Sequence, residues 1–108
     1  MYEGSMKNGL RDGQGRQKDP RGGSYVGSWI EGLQSGFGIK SYKSGDRHEG
    51  NYSEGKRNGS GMYMWRNGDV YTGEWSNGLI DGKGSFSWAS GMPLLQRIIT
   101  EFELILLH

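Results

Sequence analysis

Glycine placement constrains this chain more than any other feature. Twenty of the 21 glycines fall at fixed places when the 108 residues are written in blocks of 23. The blocks are "YEGSMKNGLRDGQGRQKDPRGGS" (2–24), "YVGSWIEGLQSGFGIKSYKSGDR" (25–47), "HEGNYSEGKRNGSGMYMWRNGDV" (48–70) and "YTGEWSNGLIDGKGSFSWASGMP" (71–93). Glycine holds the third, eighth, twelfth, fourteenth and twenty-first places of each, no gap is needed, and only Gly23 stands outside. Repetition at this period denotes stacked supersecondary units, each leaning on its neighbours.

Within a block the alternation is that of strands. Places one, three and five read aromatic, glycine, aromatic, as in Tyr71, Gly73 and Trp75, and a period of two puts all three on one face. Places twelve, fourteen, sixteen and eighteen repeat the pattern with Gly82, Gly84, Phe86 and Trp88. About six polar and glycine residues, such as "SNGLID", separate the two runs, and a second turn signal such as "RNGD" (66–69) closes the block. Each block is therefore expected to be a β-hairpin. The chain is expected to be all-β, a single-layer elongated antiparallel sheet of tandem hairpins. Eleven of the 13 aromatics share these faces with the glycines. In a single layer, bare backbone is one of the few surfaces on which a ring can be buried, so the glycines are expected to be the floor on which the rings lie.

The run "YxGxWxxGxxxGxG", complete at 25–38 and 71–84, with one aromatic exchanged at 2–15 and two at 48–61, resembles the MORN (membrane occupation and recognition nexus) repeat. The resemblance covers residues 2–93, and the array is similar to those of plant phosphatidylinositol-phosphate kinases. It implies an elongated twisted antiparallel sheet with an aromatic-lined groove. It also implies scaffolding, protein binding or attachment near membranes, and no catalysis by the repeats.

The departures are local. The first block has Met6 for the expected tryptophan and Gln17 and Asp19 for expected rings, as a terminal cap or a decayed copy would. His48 replaces the leading tyrosine of the third block and reads as a ring in the aromatic row, not a ligand. The other histidine is the last residue, so no metal site, catalytic constellation or cofactor is expected. With no cysteine there are no disulfides or thiolate sites. "MYEGSMKNG" does not resemble a signal peptide, and the expectation is a cytoplasmic protein, peripheral at a membrane if lipid is bound.

Net charge falls along the blocks as +2, +1, 0 and −1, with −1 in the tail. Lys7, Arg11, Arg16, Lys18 and Arg21 of the first block are the candidates for acidic phospholipid headgroups, against the alternative of a solvated mixed-charge face. Near-neutral balance and structurally accounted aromatics argue against nucleic acid.

The pattern stops after the fourth block. "LLQRIITEFELILLH" (94–108) fits one apolar helical face, and its alternation also fits a strand; a short helix is the expectation. It is too short and polar to span a bilayer. It reads as a cap over the last hairpin, a self-association element, or residues read past the end of a longer array. Exposed sheet edges add the expectation of a homodimer. The functional expectation is a non-enzymatic scaffold. Tyr25, Trp29, Tyr52, Trp65, Tyr71 and Trp75 are expected to line the groove that the resemblance implies, for a helix or extended segment of a protein partner. The alternatives are a peripheral module for acidic phospholipids, or the regulatory part of a lipid kinase whose catalytic domain lies outside these residues.

Overall fold

The computed structural model describes residues 1–89 and 97–100, the last four by backbone alone. The described residues form one antiparallel sheet, and none of them is helical. Its strands are β1 (Tyr2–Lys7), β2 (Leu10–Lys18), β3 (Ser24–Ile30), β4 (Leu33–Ser41), β5 (Arg47–Ser53), β6 (Lys56–Met64), β7 (Val70–Ser76), β8 (Leu79–Ile80), β9 (Lys83–Ser87) and β10 (Arg97–Thr100). Neighbours in sequence are neighbours in the sheet, and β8 and β9 both pair with β7. Because the described residues make no second layer, the sheet extends over 50 × 26 × 18 Å. The expected all-β, single-layer fold is what the chain adopts.

The hairpin turns are tighter than the sequence suggests. The expected six-residue connection is a two-residue turn in every block: Asn8-Gly9, Glu31-Gly32, Glu54-Gly55 and Asn77-Gly78, all with positive φ. Positive φ at both central residues is the type I′ geometry whose twist matches that of paired strands. In the first three blocks the residues after the turn belong to the second strand, and in the fourth Asp81 and Gly82 separate β8 from β9. The turns between blocks differ. Gly22, Gly45 and Gly68 each donate to the carbonyl three residues earlier, on Asp19, Tyr42 and Trp65.

Each of the first three hairpins also carries an irregularity that period-two reading cannot show. Between the pairs Gly27↔Gly38 and Trp29↔Gln34, Ser28 alone stands opposite Ser35, Gly36 and Phe37. The same shift occurs between Gly4 and Met6 and between Gly50 and Tyr52. The twelfth-place glycines Gly13, Gly36 and Gly59 sit in these bulges at φ of 92°, 89° and 90°, and Gly82, between β8 and β9, has a φ of 79°. A Cβ on Gly13 or Gly36 would meet Ser5 or Ser28, residues of the face opposite the rings. These glycines are therefore bulge formers, and the expectation that they join the floor is corrected. Bulges recurring at one place bend the sheet repeatedly.

The floor is made by the third and fourteenth places. Gly4, Gly15, Gly27, Gly38, Gly50, Gly61 and Gly73 pair in succession across seven strands. Any side chain on Gly15, Gly38 or Gly84 would run into the ring of Tyr2, Tyr25 or Tyr71. The core is thus a row of rings on a row of bare backbone.

The tail departs from expectation where it is described. Arg97–Thr100 is not helical; it is β10, paired with β9 from Arg97↔Phe86 to Thr100↔Lys83. The free edge of β9 offers a ladder of backbone donors and acceptors, which a helix could not satisfy. The rest of the expected tail helix lies outside the described residues.

Candidate functional site

The face carrying the rings is built in layers. Directly above the glycines lie the first-place and fifth-place rings, in edge-to-face contact from block to block. Tyr2 meets Trp29 at 5.3 Å, Tyr25 meets Trp29 at 5.1 Å and Tyr52 at 5.2 Å, and His48 meets Tyr52 at 5.1 Å and Trp75 at 5.3 Å. Tyr71 closes the row on Trp75 at 5.6 Å. Such contacts satisfy the ring quadrupoles while excluding water.

The leading tyrosines have a second task. Tyr2 donates its hydroxyl to the Ser5 carbonyl (2.8 Å) and Tyr25 to the Ser28 carbonyl (3.0 Å), the residues opposite the bulges. Burial pushes the Tyr25 phenol up to about 12. His48 makes no such bond. Its Nδ1 lies 2.7 Å from the Tyr52 hydroxyl, and its Nε2 is buried without a hydrogen-bond partner. Burial first, then the positive charges of Arg57 and Lys40, pull the His48 imidazole down to about 4, so it is neutral at pH 7.

Above the rings lies a layer from the sixteenth place, which the sequence reading puts on the ring face, and the tenth place, which it missed. The Arg11 guanidinium donates to Gln17 Oε1 (3.2 Å), and Lys40 Nζ donates to Gln34 Oε1 (3.4 Å). Arg57 lies 5.3 Å from the Tyr63 ring and 4.4 Å from Trp75, and donates to the Gly78 carbonyl (2.7 Å). In the fourth block the corresponding pair is Ile80 and Phe86, both in the core with Tyr71 and Trp75. Tenth-place polar residues look like solvated loop in the sequence. The signal that could have found them is their direct pairing with fifth-place rings, as in Tyr52↔Arg57 and Trp75↔Ile80.

The sequence-expected groove residues are brought together, at different depths. Tyr25, Trp29, Tyr52, Tyr71 and Trp75 are buried, and Trp65 is half-buried against the last cluster. The five basic residues of the first block are dispersed. Arg11 is on the ring face over Tyr2 and Trp29. Arg16 and Lys18 border a depression on the opposite face, and Arg16 approaches Glu3 at 4.0 Å. Lys7 adjoins the first hairpin turn, while Arg21, in the first turn between blocks, approaches Asp19 at 4.0 Å.

Side chains also tie the blocks together along the rim of inter-block turns. Asp46 accepts from the Tyr63 hydroxyl (2.7 Å) and the Arg66 amide (2.9 Å), and Asp69 accepts from the Ala89 amide (2.8 Å). On the other rim, Gly32, Gly55 and Gly78 donate to the carbonyls of Arg11, Gln34 and Arg57 in the preceding block. The second, third and fourth blocks are thus fixed to one another at both rims, and the first to the second at the hairpin-turn rim. Among the described residues no group of three or more acidic, histidine or cysteine side chains could hold a metal ion.

The MORN repeat family model matches residues 2–24, 25–47, 48–70 and 71–92. The chain belongs to the MORN repeat family. No curated protein matches it. MORN repeats are binding repeats and not catalytic ones, which agrees with a site made of packed rings and fixed cations.

Proposed function

We propose that this MORN chain is a scaffold that binds a protein partner along its ring face, taking up a helix or an extended segment. The observation that carries the reading is the layering of that face. A buried, mutually locked row of rings holds Arg11, Gln34, Lys40, Tyr42, Arg57 and Tyr63 half-exposed above it. Side chains held this way lose little freedom on binding, which favours recognition. In this reading Tyr25, Trp29, Tyr52, Tyr71 and Trp75 shape and stiffen the groove, and the layer above makes most of the contact. Placement beside a lipid-kinase domain, as the motif resemblance suggests, is compatible with such a module.

A photocrosslinking residue at Gln34 on the ring face, compared with one at Phe37 on the opposite face, tests the reading in cells. Capture of a discrete protein from position 34 and not from 37 is expected; equal capture from both contradicts it. Co-sedimentation with anionic vesicles at low salt, lost on neutralising Arg16 and Lys18, would instead favour the phospholipid alternative.

A further inference from the structure

The chemistry of the partner follows from what lines the ring face. Arg11, Lys40 and Arg57 are half-buried there. The salt bridges among the described residues join Arg16 to Glu3, Arg21 to Asp19 and Arg47 to Glu49, and involve none of these three. Their partners are neutral: Gln17 and the rings of Tyr2 and Trp29 for Arg11, Gln34 and Tyr42 for Lys40, the Gly78 carbonyl with Tyr63 and Trp75 for Arg57. Burial, and then the charge of Arg57, pull the Lys40 ammonium down, so positive charge in this region is not fully balanced. Depressions of about 230 and 180 Å³ flank Lys40, the first lined by Tyr25, Gln34 and Tyr42 with Asp19 and Lys43 at its border, the second by Tyr52, Lys56 and Arg57.

We propose that the ring face is a receptor for an acidic segment of a protein partner, whose carboxylates are taken in turn by Arg11, Lys40 and Arg57. This rests on the reading of the ring face as a protein-binding groove, and adds its charge and register. Arg11 is on β2, Lys40 on β4 and Arg57 on β6, so successive cations step two strands, or about 10 Å across the sheet, with Arg11 and Arg57 from the tenth place of their blocks and Lys40 from the sixteenth. A helix laid across the strands, rising about 1.5 Å per residue, covers that step in roughly seven residues. An extended segment covers it in roughly three. A peptide is favoured over a membrane because the cations are recessed among rings, whereas a flat headgroup layer meets exposed Lys7, Lys18 and Arg21 first.

The test selects a random sixteen-residue peptide library displayed on phage against the folded chain. The peptides obtained are resynthesised with every Glu and Asp replaced by Gln and Asn, and the originals are also titrated against Lys40→Gln and Arg57→Gln. Acidic peptides that lose at least tenfold affinity on amidation and on either substitution are expected, with dichroism confirming that both variants stay folded. Neutral or basic peptides that still compete for the ring face would overturn the acidic preference and leave the groove reading standing. Failure to select any peptide would overturn both. Binding of anionic vesicles, lost with the same two substitutions while no acidic peptide binds, would assign the cations to lipid and also overturn the proposal.

Discussion

Gly38 and Gly55 are both bare positions, for different reasons. A methyl group on Gly38 would enter the Tyr25 ring, whereas Gly55 has open space around it and needs glycine only for its φ of 82°. Gly38→Ala is therefore expected to cost about 3 kcal/mol by overpacking, and Gly55→Ala about 1 kcal/mol by backbone strain, measured by urea unfolding. His48 makes stability depend on pH. Its folded pKa of about 4 lies below the ordinary 6.5, so the unfolded chain binds the extra proton first. Stability from this group is complete above pH 6.5 and is lost progressively as pH falls toward 4, by roughly 2 kcal/mol at pH 5. His48→Tyr is expected to remove that loss and to restore a hydroxyl bond to the carbonyl of Asn51, as thermal melts at pH 7 and pH 5 would report.

At the scale of elements, the two middle hairpins turn on Glu31-Gly32 and Glu54-Gly55, with glutamate at a φ of 48° and 50° where the outer hairpins have asparagine. Glu54→Asn is expected to stabilise the chain by about 0.5–1 kcal/mol in urea titration, because asparagine tolerates the left-handed region better. The strands and ring columns are legible in the sequence because period two and period 23 coincide in them. Turn length is not: Leu10, Arg11 and Asp12 follow Asn8-Gly9 as loop residues would, and only pairing shows that they are strand. Nor is the bulge, since Gly36 and Gly38 look alike in sequence and only Gly36 takes a positive φ. The tail fits both periods, and the pairing partner on β9 decides Arg97–Thr100. Arg57 escapes a reading by blocks because a cation's use as the cover of Trp75 depends on a neighbouring block.

At the scale of the molecule, stability is shared between nearest neighbours, since the described residues make no second layer. β1 is exposed along nearly all its length, while β3 to β7 are paired on both sides and carry most of the buried rings. Amide exchange is expected to be slowest in β4 to β6 and fastest in β1; uniform protection would contradict nearest-neighbour stability. In every block the leading ring rests on bare backbone, which buries it in all but the first. A double-mutant cycle between Tyr25→Leu and Gly38→Ala, read by urea unfolding, isolates that contact, because leucine lacks the far ring atoms that a Gly38 methyl would strike. The expected result is that Gly38→Ala is costly beside tyrosine and nearly neutral beside leucine, a coupling of about 3 kcal/mol. Additive costs would show that the ring does not depend on the glycine beneath it.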